Sequence, residues 1–174
     1  KQLSNLLPLR GLEETMKPKV FLAMPANRAI QPPILKAILV CASPFLGHVR
    51  IDIDTLPTID VLRERAVEEF LTTDCTHLLF WDSDILPQEG ALEKLVRDKK
   101  PVVGAVYYQK NPNHAPVFGK WIPENNQYAA PIYLPRDAIL QTDIIGMGLT
   151  LIERSVLEKL QPPYFKCAQA KNAR

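Results

Sequence analysis

Apolar residues along this chain fall into short unbroken runs separated by amphipathic stretches. Residues 20–24, 78–81, 102–108 and 149–152 are runs of almost purely apolar side chains. They are too short to make a helix with a polar face, so they read as strands covered on both sides. Residues 48–54 instead alternate polar with apolar and read as a half-exposed strand. Helical stripes fill the gaps. Ile34, Ala37, Ile38 and Cys41 follow the helix-opening Pro32-Pro33. Ile59, Leu62, Ala66 and Phe70 mark a helix over 58–72, and Ala91, Leu92, Leu95 and Val96 mark another over 88–99. A shorter helix is expected over 155–160. Strands alternating with helices predict an α/β domain with a mainly parallel, Rossmann-like central sheet and helices on both faces.

Composition narrows this only slightly. The 174 residues suit one domain over 18–174, preceded by a leader over 1–17 whose Leu3, Leu6, Leu7 and Leu9 suit docking as a short helix. A net charge of +2 gives no reason to expect nucleic acid as a partner. Cys41, Cys75 and Cys167 are odd in number, widely spaced and without a Cys-x-x-Cys pair, which favours free thiols in a reducing compartment. No run approaches the roughly 20 apolar residues of a membrane span, and no signal peptide opens the chain. A cytoplasmic location with no transmembrane segment is the expectation. The irregular, proline-rich stretch over 109–137 is long for a compact domain and reads as a lid or an acceptor wall.

The chemistry concentrates where the run over 78–81 stops, at Asp82-Ser83-Asp84. Open α/β sheets bind ligands at the carboxyl ends of their strands. Alternate residues of an extended segment point the same way, so both carboxylates can face one ligand. Two like charges about 4 Å apart repel by roughly 4 kcal/mol at an effective dielectric of about 20. A hard divalent ion such as Mg²⁺ or Mn²⁺ between them turns that repulsion into binding and is readily shared with phosphate oxygens. The plainer reading is that Asp84 shapes the turn. A second Asp-x-Asp stands at Asp52-Ile53-Asp54, where Asp54, nearer the strand's end, is the better candidate for a ribose contact. Gly146-Met147-Gly148 precedes its strand rather than following one and lacks a third glycine, so it is no dinucleotide fingerprint.

Four stretches in order resemble one family, the nucleotide-sugar-dependent glycosyltransferases with the GT-A fold, most like family 2. They are Pro25-Ala26-Asn27-Arg28, the helix containing Arg63, the strand capped by Asp82-Ser83-Asp84, and the Asp-x-x-Gly-x-Gly stretch from Asp143. The resemblance implies transfer of a hexose from a UDP- or GDP-type sugar to a glycan, lipid or protein acceptor. It places Mn²⁺ or Mg²⁺ on Asp82 and Asp84. It also places Pro25, Asn27, Arg28, Asp54, Arg63 and Ser83 around the nucleotide-sugar. Two departures stand out. Glu64 follows Arg63 where many relatives have Asn, and residues 166–174 contain none of the acids that serve inverting relatives as general base. Either the base lies beyond residue 174, or Asp143 serves, or the domain is a non-catalytic module. A nucleotidyltransferase is the rival enzyme class, but it would usually carry a glycine-rich loop after the first strand, and residues 25–28 hold no glycine.

Overall fold

The computed structural model describes residues 17–26, 29–53, 57–130, 134–135 and 137–166. Residues 1–16 of the leader, Asn27, Arg28, Asp54 and the acid-free end over 167–174 lie outside the described residues. The chain runs through β1 (Val20–Ala26), α1 (Pro32–Ala37), a π-helical turn (Ile38–Ala42), β2 (Leu46–Ile53), α2 (Ile59–Thr72), β3 (His77–Trp81), α3 (Ala91–Arg97) and β4 (Val102–Gly104). It continues through β5 (Phe118–Ile122), a 3-10 turn (Pro123–Asn125), β6 (Gln127–Ala129), β7 (Ile144–Ile145), β8 (Leu149–Glu153) and α4 (Arg154–Leu157).

The main sheet has the order β2-β1-β3-β8-β4, and a smaller sheet has the order β6-β5-β7. Alternation along β1 divides the core in two. Val20, Leu22 and Met24 face α1, the π-helical turn and α3, and are joined by Leu79, Trp81, Leu149 and Leu151. Phe21 and Ala23 face α2 and α4 on the other side, with Leu78, Phe80, Ala66, Phe70 and Leu157. The central strands are therefore apolar on both faces, which is why β1 and β3 read as unbroken runs. Among the described residues no helix is long and apolar enough to cross a membrane.

The expectation of a Rossmann-like, mainly parallel GT-A sheet is overturned. Strand β1 pairs parallel with β2 and β3, but β8 lies antiparallel between β3 and β4. The sheet is mixed. The physical reason is the connection. Strand β4 ends at Gly104, and the chain leaves for the smaller sheet before returning at Leu149 to pair Trp81 with Leu149 and Gly104 with Thr150. A chain that re-enters from the edge it left must run backwards. A doubly covered apolar run carries no sign of its direction, so the sequence pattern could not reveal this.

Smaller differences have similar causes. The run over 102–108 is a strand only to Gly104, because Tyr107 and Tyr108 turn towards the smaller sheet. In β2 the polar positions are the more buried ones. His48 and Arg50 both bond Glu69 of α2, while Val49, Ile51 and Ile53 are exposed on an edge strand. Glu69 thus ties α2 to the edge strand β2.

Candidate functional site

Strands β1, β2 and β3 run parallel, so their carboxyl ends open on one edge. Ala26 stands opposite Ile53, and Ala23 opposite Phe80. Asn27, Arg28 and Asp54 directly follow β1 and β2 in sequence but lie outside the described residues. Pro25 is buried within β1, opposite Asp52. Asp52 does not face open water: the Arg50 guanidinium forks onto it with both bonds at 2.7 Å.

Asp82 to Asp84 form a turn tied at three points. The Asp82 N–H donates to the Gly148 carbonyl at 2.8 Å, and the Ile85 N–H donates back to the Asp82 carbonyl at 3.1 Å. The Trp81 indole N–H donates to the Ile85 carbonyl at 2.9 Å. Ser83 sits partly buried inside this turn. The backbone is fixed, so the acids are presented by a rigid support rather than a free loop.

Each acid has a basic partner. Arg63 of α2 donates from Nη2 to Asp82 Oδ1 at 3.1 Å, and Lys110 donates to Asp84 Oδ2 at 2.7 Å. The two pairs differ in burial. Arg63 and Asp82 side chains are 17% and 29% exposed, whereas Lys110 and Asp84 are 70% and 59% exposed. Arg63 lies over the Phe80 ring, 5.9 Å from its centre, and Phe80 is held edge-on by Phe165 at 5.3 Å. The Arg63 Nε is buried without a hydrogen-bond partner among the described residues. The burial of this donor leaves the Nη groups as the part of Arg63 that reaches the acidic turn.

Burial raises the Asp82 pKa above its ordinary value of 3.8, Arg63 opposes the shift, and Asp84 adds to it. Tyr107 belongs to the same cluster. Its pKa is raised first by burial, and the charges of Asp82, Arg63 and Asp84 all act on it. Its hydroxyl accepts the Gly148 N–H at 2.9 Å. A Cβ added to Gly148 would come within 2.7 Å of the Tyr107 ring, and one added to Gly146 would meet the Tyr107 hydroxyl. The two glycines are therefore required by a tyrosine laid across them. That chain of contacts, Tyr107 to Gly148 to the Asp82 backbone, couples the glycine stretch to the acidic turn.

Asp143 is held elsewhere. Its carboxylate accepts the Trp121 N–H at 2.8 Å and faces the Lys120 ammonium at 3.4 Å, while its own N–H donates to Gly119. These contacts fasten β5 beside β7 in the smaller sheet. The Trp121 N–H first, and Lys120 after it, draw the Asp143 pKa below 3.8. A general base works best with a pKa near the operating pH, and this environment moves Asp143 away from it. An apolar hollow of about 280 Å³, lined by Phe118, Ile122, Ala129 and Leu140, lies in the same small sheet. Asp143 is not among the charges acting on Asp82, which are Arg63 and Asp84.

Sequence reasoning brought Arg63, Asp82, Ser83 and Asp84 to one place and missed Tyr107 and Lys110. The signal for Tyr107 was present in the paired glycines, since two absent side chains so close together leave room for one large group. Lys110 carried no such signal.

Among the described residues no three His, Cys, Asp or Glu side chains gather as a metal cluster. An ion at this edge would rest on two carboxylates and complete its shell with water and phosphate oxygens, a habit of Mg²⁺.

No protein-family model matches the chain, and no curated protein matches it. Among solved structures the chain is similar to "Crystal Structure of A197 from STIV", at 23% identity and a TM-score of 0.62, over 85% of this chain and 71% of that one. At that identity the likeness is one of fold, and it sets this mixed sheet beside A197 rather than beside a Rossmann-like parallel sheet.

Proposed function

We propose that this chain is a glycosyltransferase that moves a hexosyl group from a UDP- or GDP-type sugar to a glycan, lipid or protein acceptor. Mn²⁺ or Mg²⁺ is the cofactor of this reading, held by Asp82 and Asp84. The observation that carries it is the acidic turn at the carboxyl edge of three parallel strands, with one basic group beside each acid. The donor set fits the ion, because two hard oxygen ligands one residue apart suit Mn²⁺ or Mg²⁺ and leave positions for phosphate.

In this reading the Nη groups of Arg63 and the Lys110 ammonium face the diphosphate oxygens. The ion, when bound, neutralises charge on the diphosphate as the sugar–oxygen bond breaks. Arg63, fixed over Phe80, adds preorganised positive charge to the same leaving group. Asn27, Arg28 and Asp54 join the nucleotide contacts by their position directly after β1 and β2. Asp143 is the candidate base within the chain, with the low pKa described above as its handicap. The buried free thiols of Cys41 and Cys75 support a cytoplasmic setting.

A thermal-shift screen tests the reading. UDP or GDP with Mn²⁺ is expected to raise Tm by several degrees at about 100 times Kd, corresponding to about 2.7 kcal/mol of linkage, and EDTA is expected to remove the rise. No shift with any nucleoside diphosphate at millimolar concentration would sink it.

A further inference from the structure

The two acid–base pairs of the site are built unequally, and the inequality has a use. Arg63 is locked between α2 and the Phe80 ring, and Asp82 is tied through its own backbone to Gly148. Lys110 and Asp84 are both more exposed than buried. An exposed pair of this kind is worth at most about 1 kcal/mol, so a divalent ion that bridges two carboxylates outcompetes it.

The segment carrying Lys110 is a small arm on a firm stalk. The Gln109 N–H donates to Ala115 at 2.8 Å, the Val117 N–H donates to Tyr107 at 3.0 Å, and Tyr108 bridges Pro116. Lys110 is the first residue beyond that ladder. The tip satisfies itself: the Asn111 amide donates to Gln109 at 2.6 Å, and the His114 N–H donates to the Asn111 carbonyl at 3.1 Å. Lys110 can therefore change partner by rotating its own flexible stem, without disturbing the stalk.

Charge balance points the same way. Two carboxylates face two cations, and a diphosphate diester with a divalent ion adds two charges of each sign. The four groups and the incoming complex can exchange partners with no charge left unpaired.

We propose that Lys110 is an exchangeable counter-ion, holding Asp84 until a metal–diphosphate complex arrives and then passing to a diphosphate oxygen. This rests on the function proposed above and adds a residue that controls loading of the site. A plain surface ion pair would instead leave both binding steps nearly untouched when broken.

The test measures two affinities on the full chain, for wild type, Lys110→Met and the remote control Lys100→Met. Mn²⁺ alone is titrated by electron paramagnetic resonance, and Mn²⁺ with UDP, then with GDP, by calorimetry. Lys110→Met is expected to bind Mn²⁺ alone about threefold more tightly, because Asp84 is freed. It is expected to bind the Mn²⁺–nucleotide complex about tenfold more weakly, the loss of one charge-assisted phosphate bond. Lys100→Met should match wild type in both. Shifts of the same sign, or no shift beyond that of Lys100→Met, overturn the exchange while leaving the proposed function standing. A wild-type chain that binds neither Mn²⁺ nor Mn²⁺–nucleotide overturns both.

Discussion

Replacing Asp82 and Asp84 together by Asn weakens metal-dependent binding of UDP or GDP by more than about 100-fold and leaves the fold as stable as before or more so. The binding loss follows from removing both hard oxygen donors, since even an outer-shell change at a metal site costs 10- to about 100-fold. The stability half follows from the sign of the Asp82 shift. Its pKa is raised in the folded chain, and burial outweighs the pull of Arg63. Ionised Asp82 therefore works against folding, by an amount that grows as pH rises from 3.8 through the raised value and is complete above it. Asn removes that cost, and it also removes the repulsion from Asp84. Wild type should then lose stability relative to the variant as pH rises across that window. Calorimetry with and without EDTA, and melting curves from pH 3 to 8, read both halves. Nucleotide binding that ignores the substitution or the chelator would take the two acids out of the site.

Arg154→Met lowers stability by about 2–4 kcal/mol, or roughly 5–15 °C in Tm, with little effect on nucleotide binding. The reason lies at the end of α2. The Arg154 guanidinium donates to the carbonyls of Phe70 at 3.0 Å, Thr73 at 2.8 Å and Cys75 at 2.8 Å, with a longer bond to Leu71 at 3.4 Å. A helix leaves its last carbonyls without internal partners, and a cation there also opposes the helix dipole. The guanidinium stacks on Phe70 at 4.5 Å, so its loss disturbs packing as well. Methionine fills the stem volume and supplies none of the bonds. Arg154→Lys should recover part of the loss, as a single charge without the fork. Chemical denaturation of the three chains measures the series, and a Met variant as stable as wild type would remove the clamp.

How much of this was legible in the sequence depended on what kind of signal each feature carries. The buried runs over 78–81 and 149–152 announced strands, and the 58–72 stripe announced α2, because burial on two faces and on one stripe leave distinct patterns. Asp82 and Asp84 stood out because they end a buried run, although the Asp-x-Asp spacing itself recurs at Asp52 and Asp54. Strand direction was invisible: β8 is as apolar as β3 and runs the other way, a fact set by the excursion before it. The alternation in β2 showed two faces but not which is covered, and α2 covers the polar one through Glu69. Nothing around Arg154 in the sequence hints that its task is to cap α2 from 81 residues away at Thr73. Lys110 sits in an irregular stretch, where periodicity has nothing to say.

The central claim is that Asp82 and Asp84 share one divalent ion with a diphosphate. Crystals grown with Mn²⁺ and UDP, measured at a wavelength where Mn²⁺ scatters anomalously, test it most directly. The account predicts one strong anomalous peak within about 2.4 Å of oxygens from both Asp82 and Asp84, with diphosphate oxygens completing the shell. Bound UDP with no Mn²⁺ at those carboxylates, or Mn²⁺ held at another part of the chain, would contradict it.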